Sequence, residues 1–172
     1  VLAYAGIPLT HRNVAATATL VTGHESPGGD DAGVDWAALA RLGGTLVVFM
    51  GSRRLSTITE ALIAGGRAAR TPAAAIQWGT WPGQRSVVAD LETLAARAEA
   101  EGITSPALIV VGEVIDLRDT LNWFESKPLF GRQVLITRSQ EQSGPLQLLL
   151  ESEGARVHSL PLLEISAPQD LA

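Results

Sequence analysis

An α/β fold is predicted by three features of the sequence. Two strand-length apolar runs without alternation, Thr45-Leu-Val-Val-Phe-Met50 and Ala107-Leu-Ile-Val-Val111, read as strands buried on both faces. Around them lie segments with apolar residues at helical spacing, closed by glycine. Aromatic residues make up only 5% of the chain, so packing falls to Ala, Leu, Val and Ile, which suits helices laid on a mostly buried sheet.

The elements follow in order. Ile7-Pro-Leu-Thr-His-Arg12 reads as a turn and a helix start. Residues 17–22 are β-branched and alternating, hence a strand. Residues 24–34 carry three glycines, a proline and two adjacent acids, which predicts a loop. Asp35 is placed to cap a short helix running to Leu42, and the buried strand 45–50 comes next. Leu55, Ile58, Leu62 and Ile63 share one helical face, with Gly65-Gly66 as the stop. Residues 73–77 and 84–89 read as strands joined by the tight Trp78-Gly-Thr-Trp-Pro-Gly83 connection. Asp90 is expected to cap a helix with Leu91, Leu94, Ala95 and Ala98 inward, ending at Gly102. After the strand 107–111, residues 114–124 read as a strand end and turn carrying Trp123, and Ser126-Lys-Pro128 as a linker.

Beyond the linker, residues 133–137 form a predicted strand. Ser139 with Gln142 forms a capping box for a helix lined by Leu146, Leu149 and Leu150 and stopped by Gly154. Residues 156–161 alternate as the next strand, so the tail is one β-α-β unit. Such a unit buries little apolar surface. Leu135, Leu149, Leu160 and Leu163 are therefore expected to face solvent or a makeshift contact with the preceding part of the chain, whereas Leu46, Val48, Ile109 and Val111 are expected to be fully buried.

Composition narrows the function. The chain of 172 residues carries a formal charge of −5, so neither a nucleic-acid backbone nor an anionic membrane surface is favoured as partner. Cysteine is absent, and His11, His24 and His158 are too scattered for a ligand set, so no metal is expected. Lys127 is the only lysine; an anionic substrate would be held by arginines, whose planar fork suits carboxylates. No apolar run approaches the roughly 20 residues that span a bilayer, and a cytoplasmic protein is expected. The start at Val1 without Met reads as a cut within a longer protein.

Several motifs go further. Tyr4-Ala-Gly-Ile-Pro-Leu-Thr-His-Arg12, Phe49-Met-Gly51, Gln77-Trp-Gly-Thr80, Ser105-Pro-Ala-Leu-Ile-Val-Val-Gly-Glu-Val114 and Leu121-Asn-Trp-Phe124 stand in an order and separation that resemble the C-terminal half of the uroporphyrinogen-III C-methyltransferases, which are tetrapyrrole methylases. Leu129-Phe-Gly-Arg-Gln-Val-Leu-Ile-Thr-Arg138 resembles the opening strand of the uroporphyrinogen-III synthases. The resemblance implies that residues 1–21 end one methylase subdomain. Residues 22–125 would form the second, a mixed sheet flanked by helices; 126–128 would be a linker and 129–172 the start of a synthase with a partial Rossmann-like β-α-β unit. It implies methylation of uroporphyrinogen III to precorrin-2, with S-adenosylmethionine as donor, no metal, and a homodimer. Two alternatives stand beside it: another tetrapyrrole methylase acting on a later corrinoid, or a binding and dimerisation module without catalysis.

Methyl transfer from a sulfonium donor to an electron-rich carbon depends mostly on positioning and desolvation. The resemblance places donor contacts at Met50 and Gly79, and makes His11 and Arg12 candidates for the carboxylates of the macrocycle, with Arg53, Arg54 and Arg85 behind them. Taken by itself, Met50 is equally a gap-filling core residue, and Gly79 a turn glycine. The sequence departs from the family pattern in Phe49, where Tyr is usual, and in Gln77-Trp78, where Glu-Asn is common. The family's glycine-rich donor loop and acidic residue have no counterpart and are expected upstream of Val1, along with any catalytic group.

Overall fold

Burial of the two apolar runs organises the chain around one mixed sheet. The computed structural model describes residues 1–23 and 33–162. The chain divides into a first unit, Val1–Trp123, and a second that begins at Phe124. The predicted loop at 24–34 falls largely outside the described residues, as do His24 and Leu163.

The first unit comprises β1 (Ala18–Thr22), α1 (Trp36–Arg41), β2 (Thr45–Phe49), α2 (Leu55–Ala64), β3 (Pro72–Gln77), β4 (Arg85–Asp90), α3 (Leu94–Ala100), β5 (Ala107–Val111) and α4 (Arg118–Leu121), with 3-10 turns at Leu2–Ala5, Ser52–Arg54 and Glu113–Leu117. The sheet order is β1-β2-β5-β3-β4. β1 and β2 are parallel, and every other pairing is antiparallel. β1, β2 and β3 therefore run in one direction, and their C-terminal ends open on one edge of the sheet. The start of β5 lies on that edge, since Ala107 pairs with Gln77, and so does the start of β4, since Arg85 also pairs with Gln77.

Period-two alternation sends side chains to two layers. Leu46, Val48, Ala73, Ala75, Ile109 and Val111 meet Ile58 and Leu62 of α2 and Leu94 and Ala98 of α3. Ala74, Ile76 and Val110 face the other way, against Ala5, Ile7, Ala15, Val114 and Ile115. Leu46, Val48, Ile109 and Val111 are buried as expected. The Asp35 carboxylate accepts the Ala38 N–H at 2.8 Å, the predicted cap of α1.

Three local expectations are corrected. Asp90 does not cap a helix: it ends β4, where pairing with Pro72 claims it for the sheet, and α3 begins only at Leu94. Residues 114–124 hold no strand end; a 3-10 turn and α4 stand there, burying Val114 and Ile115 on the sheet, because both flanks of β5 are already taken by β2 and β3. The segment around Arg12 starts no helix. His11 and Ala15 exchange backbone hydrogen bonds of 2.9 and 3.0 Å around Asn13 at φ 69, a left-handed position that Asn tolerates better than most residues.

The second unit holds β6 (Gln133–Ile136), α5 (Gln140–Ser152) and β7 (Arg156–Ser159), with β6 and β7 parallel. Phe124, Ile136 and Ala155 are buried, and Phe124 meets Phe130 edge-on at 5.3 Å. Ser139 occupies the N-cap position of α5 without a side-chain cap bond, contrary to the predicted capping box. Leu135, Leu149 and Leu160 are 58%, 65% and 54% exposed, as a lone β-α-β unit predicts.

Candidate functional site

The edge where β1, β2 and β3 end gathers three of the four left-handed non-glycine residues found among the described residues, Asn13 being the fourth. Met50, directly after β2, has φ 52; Trp78, directly after β3, has φ 49; and Thr80 has φ 78. Each non-glycine residue held left-handed costs about 1–3 kcal/mol, and such strain persists only where surroundings enforce it. Met50 is 64% exposed, which excludes the gap-filling core role. Phe49, beside it in sequence, and Trp78 and Trp81, after β3, are exposed as well, so the strain presents apolar side chains to solvent rather than packing them.

Polar pairs hold these turns from beneath. Buried Gln77 donates its Nε2 to the Thr104 carbonyl at 3.0 Å and to Thr104 Oγ1 at 2.8 Å. The hydroxyls of Ser52 and Ser105 lie 2.7 Å apart, joining the turn after β2 to the approach to β5. The Trp78 N–H reaches the Pro106 carbonyl at 3.3 Å, and the Trp81 N–H the Trp78 carbonyl at 3.1 Å. Gly23 donates to the Phe49 carbonyl at 2.7 Å, and a Cβ there would lie 2.8 Å from Gly51 Cα, so the turns after β1 and β2 touch backbone to backbone.

The structure brings Met50 and Trp78-Gly79 to one edge. A Cβ on Gly79 would lie 2.3 Å from Val1 Cγ1, so the Val1 side chain already fills that space, and a ligand meeting this face of Gly79 must displace it. His11 and Arg12 are exposed on a turn that precedes the N-terminal end of β1, whereas Met50 and Trp78 follow the C-terminal ends of β2 and β3, which run in the same direction; no hydrogen bond to a described residue ties either side chain to that edge. Arg53 is exposed three residues beyond Met50. Arg85 starts β4 at the edge, but its guanidinium donates to the Glu101 carbonyl at the end of α3. Ser52 and Thr104 escaped the sequence reading, because isolated small polar residues before and after strands carry no periodic signal.

Among the described residues no group of three or more His, Asp or Glu is placed to hold a metal ion, and no helix is long and apolar enough to cross a membrane.

An edge of backbone and apolar side chains, built on a mixed sheet flanked by helices, is the site type expected of a methyl-donor subdomain, and sequence comparison identifies the class. Residues 1–95 match the model of the Tetrapyrrole (Corrin/Porphyrin) Methylases, and the chain belongs to that family. It is 40% identical over 158 residues to the uroporphyrinogen-III C-methyltransferase of Bacillus subtilis, covering 92% of this chain and 32% of that protein. It is 45% identical over 119 residues to the S-adenosyl-L-methionine-dependent uroporphyrinogen III methyltransferase of Methanosarcina barkeri, covering 69% and 47%. The crystal structure of the Thermus thermophilus uroporphyrin-III C-methyl transferase complexed with S-adenosyl homocysteine superposes with a TM-score of 0.55 at 36% identity, over 67% of this chain and 50% of that one. The chain thus spans between a third and a half of the length of these relatives, which are methyltransferases.

Proposed function

We propose that this chain carries the donor-binding second subdomain of an S-adenosylmethionine-dependent uroporphyrinogen-III C-methyltransferase, which makes precorrin-2 on the route to siroheme and cobalamin. The observation that carries the reading is the pair of exposed left-handed residues, Met50 and Trp78, at one edge of the sheet within the segment matched by the family model. When bound, S-adenosylmethionine supplies a methyl group already activated on sulfur. The chain's own residues hold and orient it: Phe49, Met50 and Trp78 offer apolar surface that excludes water, while Gly79, once the Val1 side chain is displaced, lets a ligand approach backbone. That chemistry requires no acid or base at this edge. His11 and Arg12 serve as carboxylate partners of the tetrapyrrole in this reading, on the strength of their motif rather than of any contact with Met50.

The domain division proposed is the end of a first methylase subdomain at 1–21, the second at 22–125, a linker at 126–128, and the start of a uroporphyrinogen-III synthase at 129–172. The parallel β6-α5-β7 unit supports that last assignment. The whole protein would then form the uroporphyrinogen III that its methylase consumes, as a cytoplasmic homodimer. The 172 residues alone would lack turnover, since the family's glycine-rich donor loop belongs to the preceding subdomain.

Calorimetry with S-adenosylhomocysteine on the whole protein tests the donor edge. Met50→Ala should weaken binding by about fivefold, or about 1 kcal/mol, through lost apolar contact. Unchanged affinity would take the donor off this edge. Precorrin-2 formation followed by absorbance tests the substrate; activity on another tetrapyrrole but not on uroporphyrinogen III overturns that part.

A further inference from the structure

We infer that Gln84 is a positioning residue for the donor edge, clamping the strained Trp78-Gly79-Thr80 turn to the N-terminal segment at Tyr4; the inference rests on the donor-site reading above. Gln84 is 3% exposed between the exposed Gly83 and Arg85. A buried primary amide is costly unless its donors and acceptor are used. Its Oε1 accepts the Thr80 N–H at 2.8 Å, and its Nε2 donates to the Tyr4 carbonyl at 3.2 Å. The two partners fix the orientation of the amide, because a backbone N–H can only donate and a carbonyl only accept.

The geometry shows what this clamp opposes. Thr80 holds φ 78, a conformation that β-branched residues rarely adopt. Relaxing it means rotating about its N–Cα bond, which swings the Thr80 N–H relative to the chain that follows. Gln84 lies four residues downstream and grips that N–H, so the bond resists the rotation. Gly79, between the left-handed Trp78 and Thr80, is held with them.

The other end of the clamp reaches the second wall of the same place. Val1, whose side chain packs on Gly79, opens the 3-10 turn Leu2–Ala5, which closes with the Gly6 N–H on the Ala3 carbonyl at 3.3 Å. Here Ala3 accepts from Trp123 Nε1 at 3.0 Å, Tyr4 accepts from Gln84, and Ala5 accepts from the Arg118 guanidinium. Three successive carbonyls are thus taken from two parts of the unit, α4 with its end and the start of β4, and Gln84 also holds the Trp78–Thr80 turn. Gln84 is where the Tyr4 motif and the Gln77-Trp-Gly-Thr80 motif become one structure.

Amide exchange by NMR on the 172-residue chain, with S-adenosylhomocysteine affinity on the whole protein, tests the inference. In Gln84→Met the Thr80 amide should exchange about tenfold faster, the Ile109 amide should keep its protection, and affinity should fall about tenfold. Gln84→Glu retains the acceptor for Thr80 and should keep that amide slow, which preserves the test if the Met variant does not fold. Unchanged Thr80 protection in Gln84→Met overturns the inference, as does fast Thr80 exchange in Gln84→Glu with Ile109 protected, or equal loss at Thr80 and Ile109 in either variant. If the unsubstituted protein fails to bind S-adenosylhomocysteine, the donor reading falls, while Thr80 exchange still reports whether the clamp exists.

Discussion

Replacing Gly6 by alanine probes the seam between two of the motifs. Gly6 has φ 70 at the end of the 3-10 turn, and a Cβ there would lie 2.7 Å from the Asn122 nitrogen, 2.8 Å from its Cα and 2.9 Å from the Leu121 carbonyl carbon. These are backbone atoms, which cannot rotate away as a side chain would. Two costs therefore add: about 1 kcal/mol or more for a left-handed alanine, and about 1–3 kcal/mol for overpacking. Gly102 separates them, since its φ is 67 and nothing lies within 4 Å of its would-be Cβ. Gly102→Ala should cost only the first term, about 1 kcal/mol, and Gly6→Ala about 3 kcal/mol. Urea unfolding followed by tryptophan fluorescence measures both, because Trp36, Trp78, Trp81 and Trp123 all lie in the first unit. If the two substitutions cost the same to within about 0.5 kcal/mol, then Leu121-Asn122 yields freely, and the close seam contributes nothing to stability.

Two further outcomes follow from burial. Leu62→Ala empties a fully buried position on α2 and should destabilise the first unit by about 3 kcal/mol, whereas Leu148→Ala on the exposed face of α5 should change stability by less than about 0.5 kcal/mol; thermal unfolding of each variant decides. In the second unit, ordering costs about 1–2 kcal/mol per residue in backbone entropy against a core of few residues. Amides of β6 and β7 should therefore exchange faster than those of β5, and equal protection would show that the tail is stabilised as well as the sheet.

Much of the architecture was legible because it is written in local periodicity. The continuous apolar runs at 45–50 and 107–111 could only satisfy burial as central strands, and β2 and β5 are flanked on both sides. Leu55, Ile58 and Leu62 recur at helical spacing and line the buried face of α2. Asp35 caps α1 because capping needs only residues a turn apart. The family, too, was readable from motifs, three of which, at Tyr4–Arg12, Phe49–Gly51 and Gln77–Thr80, lie within the matched segment.

What the tertiary structure alone decided involves partners far apart in the chain. Asp90 looks like a cap until Pro72 claims it for the sheet, and residues 114–124 look like a strand end and turn until both flanks of β5 are occupied. Met50 could be named from its neighbours, but its exposure and left-handed backbone are properties of the folded edge. Gln84 carried no signal, since its partners at Thr80 and Tyr4 come together only when the strands pair and the N-terminal segment folds over the sheet. Periodicity encodes which face of an element is buried; which residues meet across that face is settled by strand order and close packing, and those are non-local.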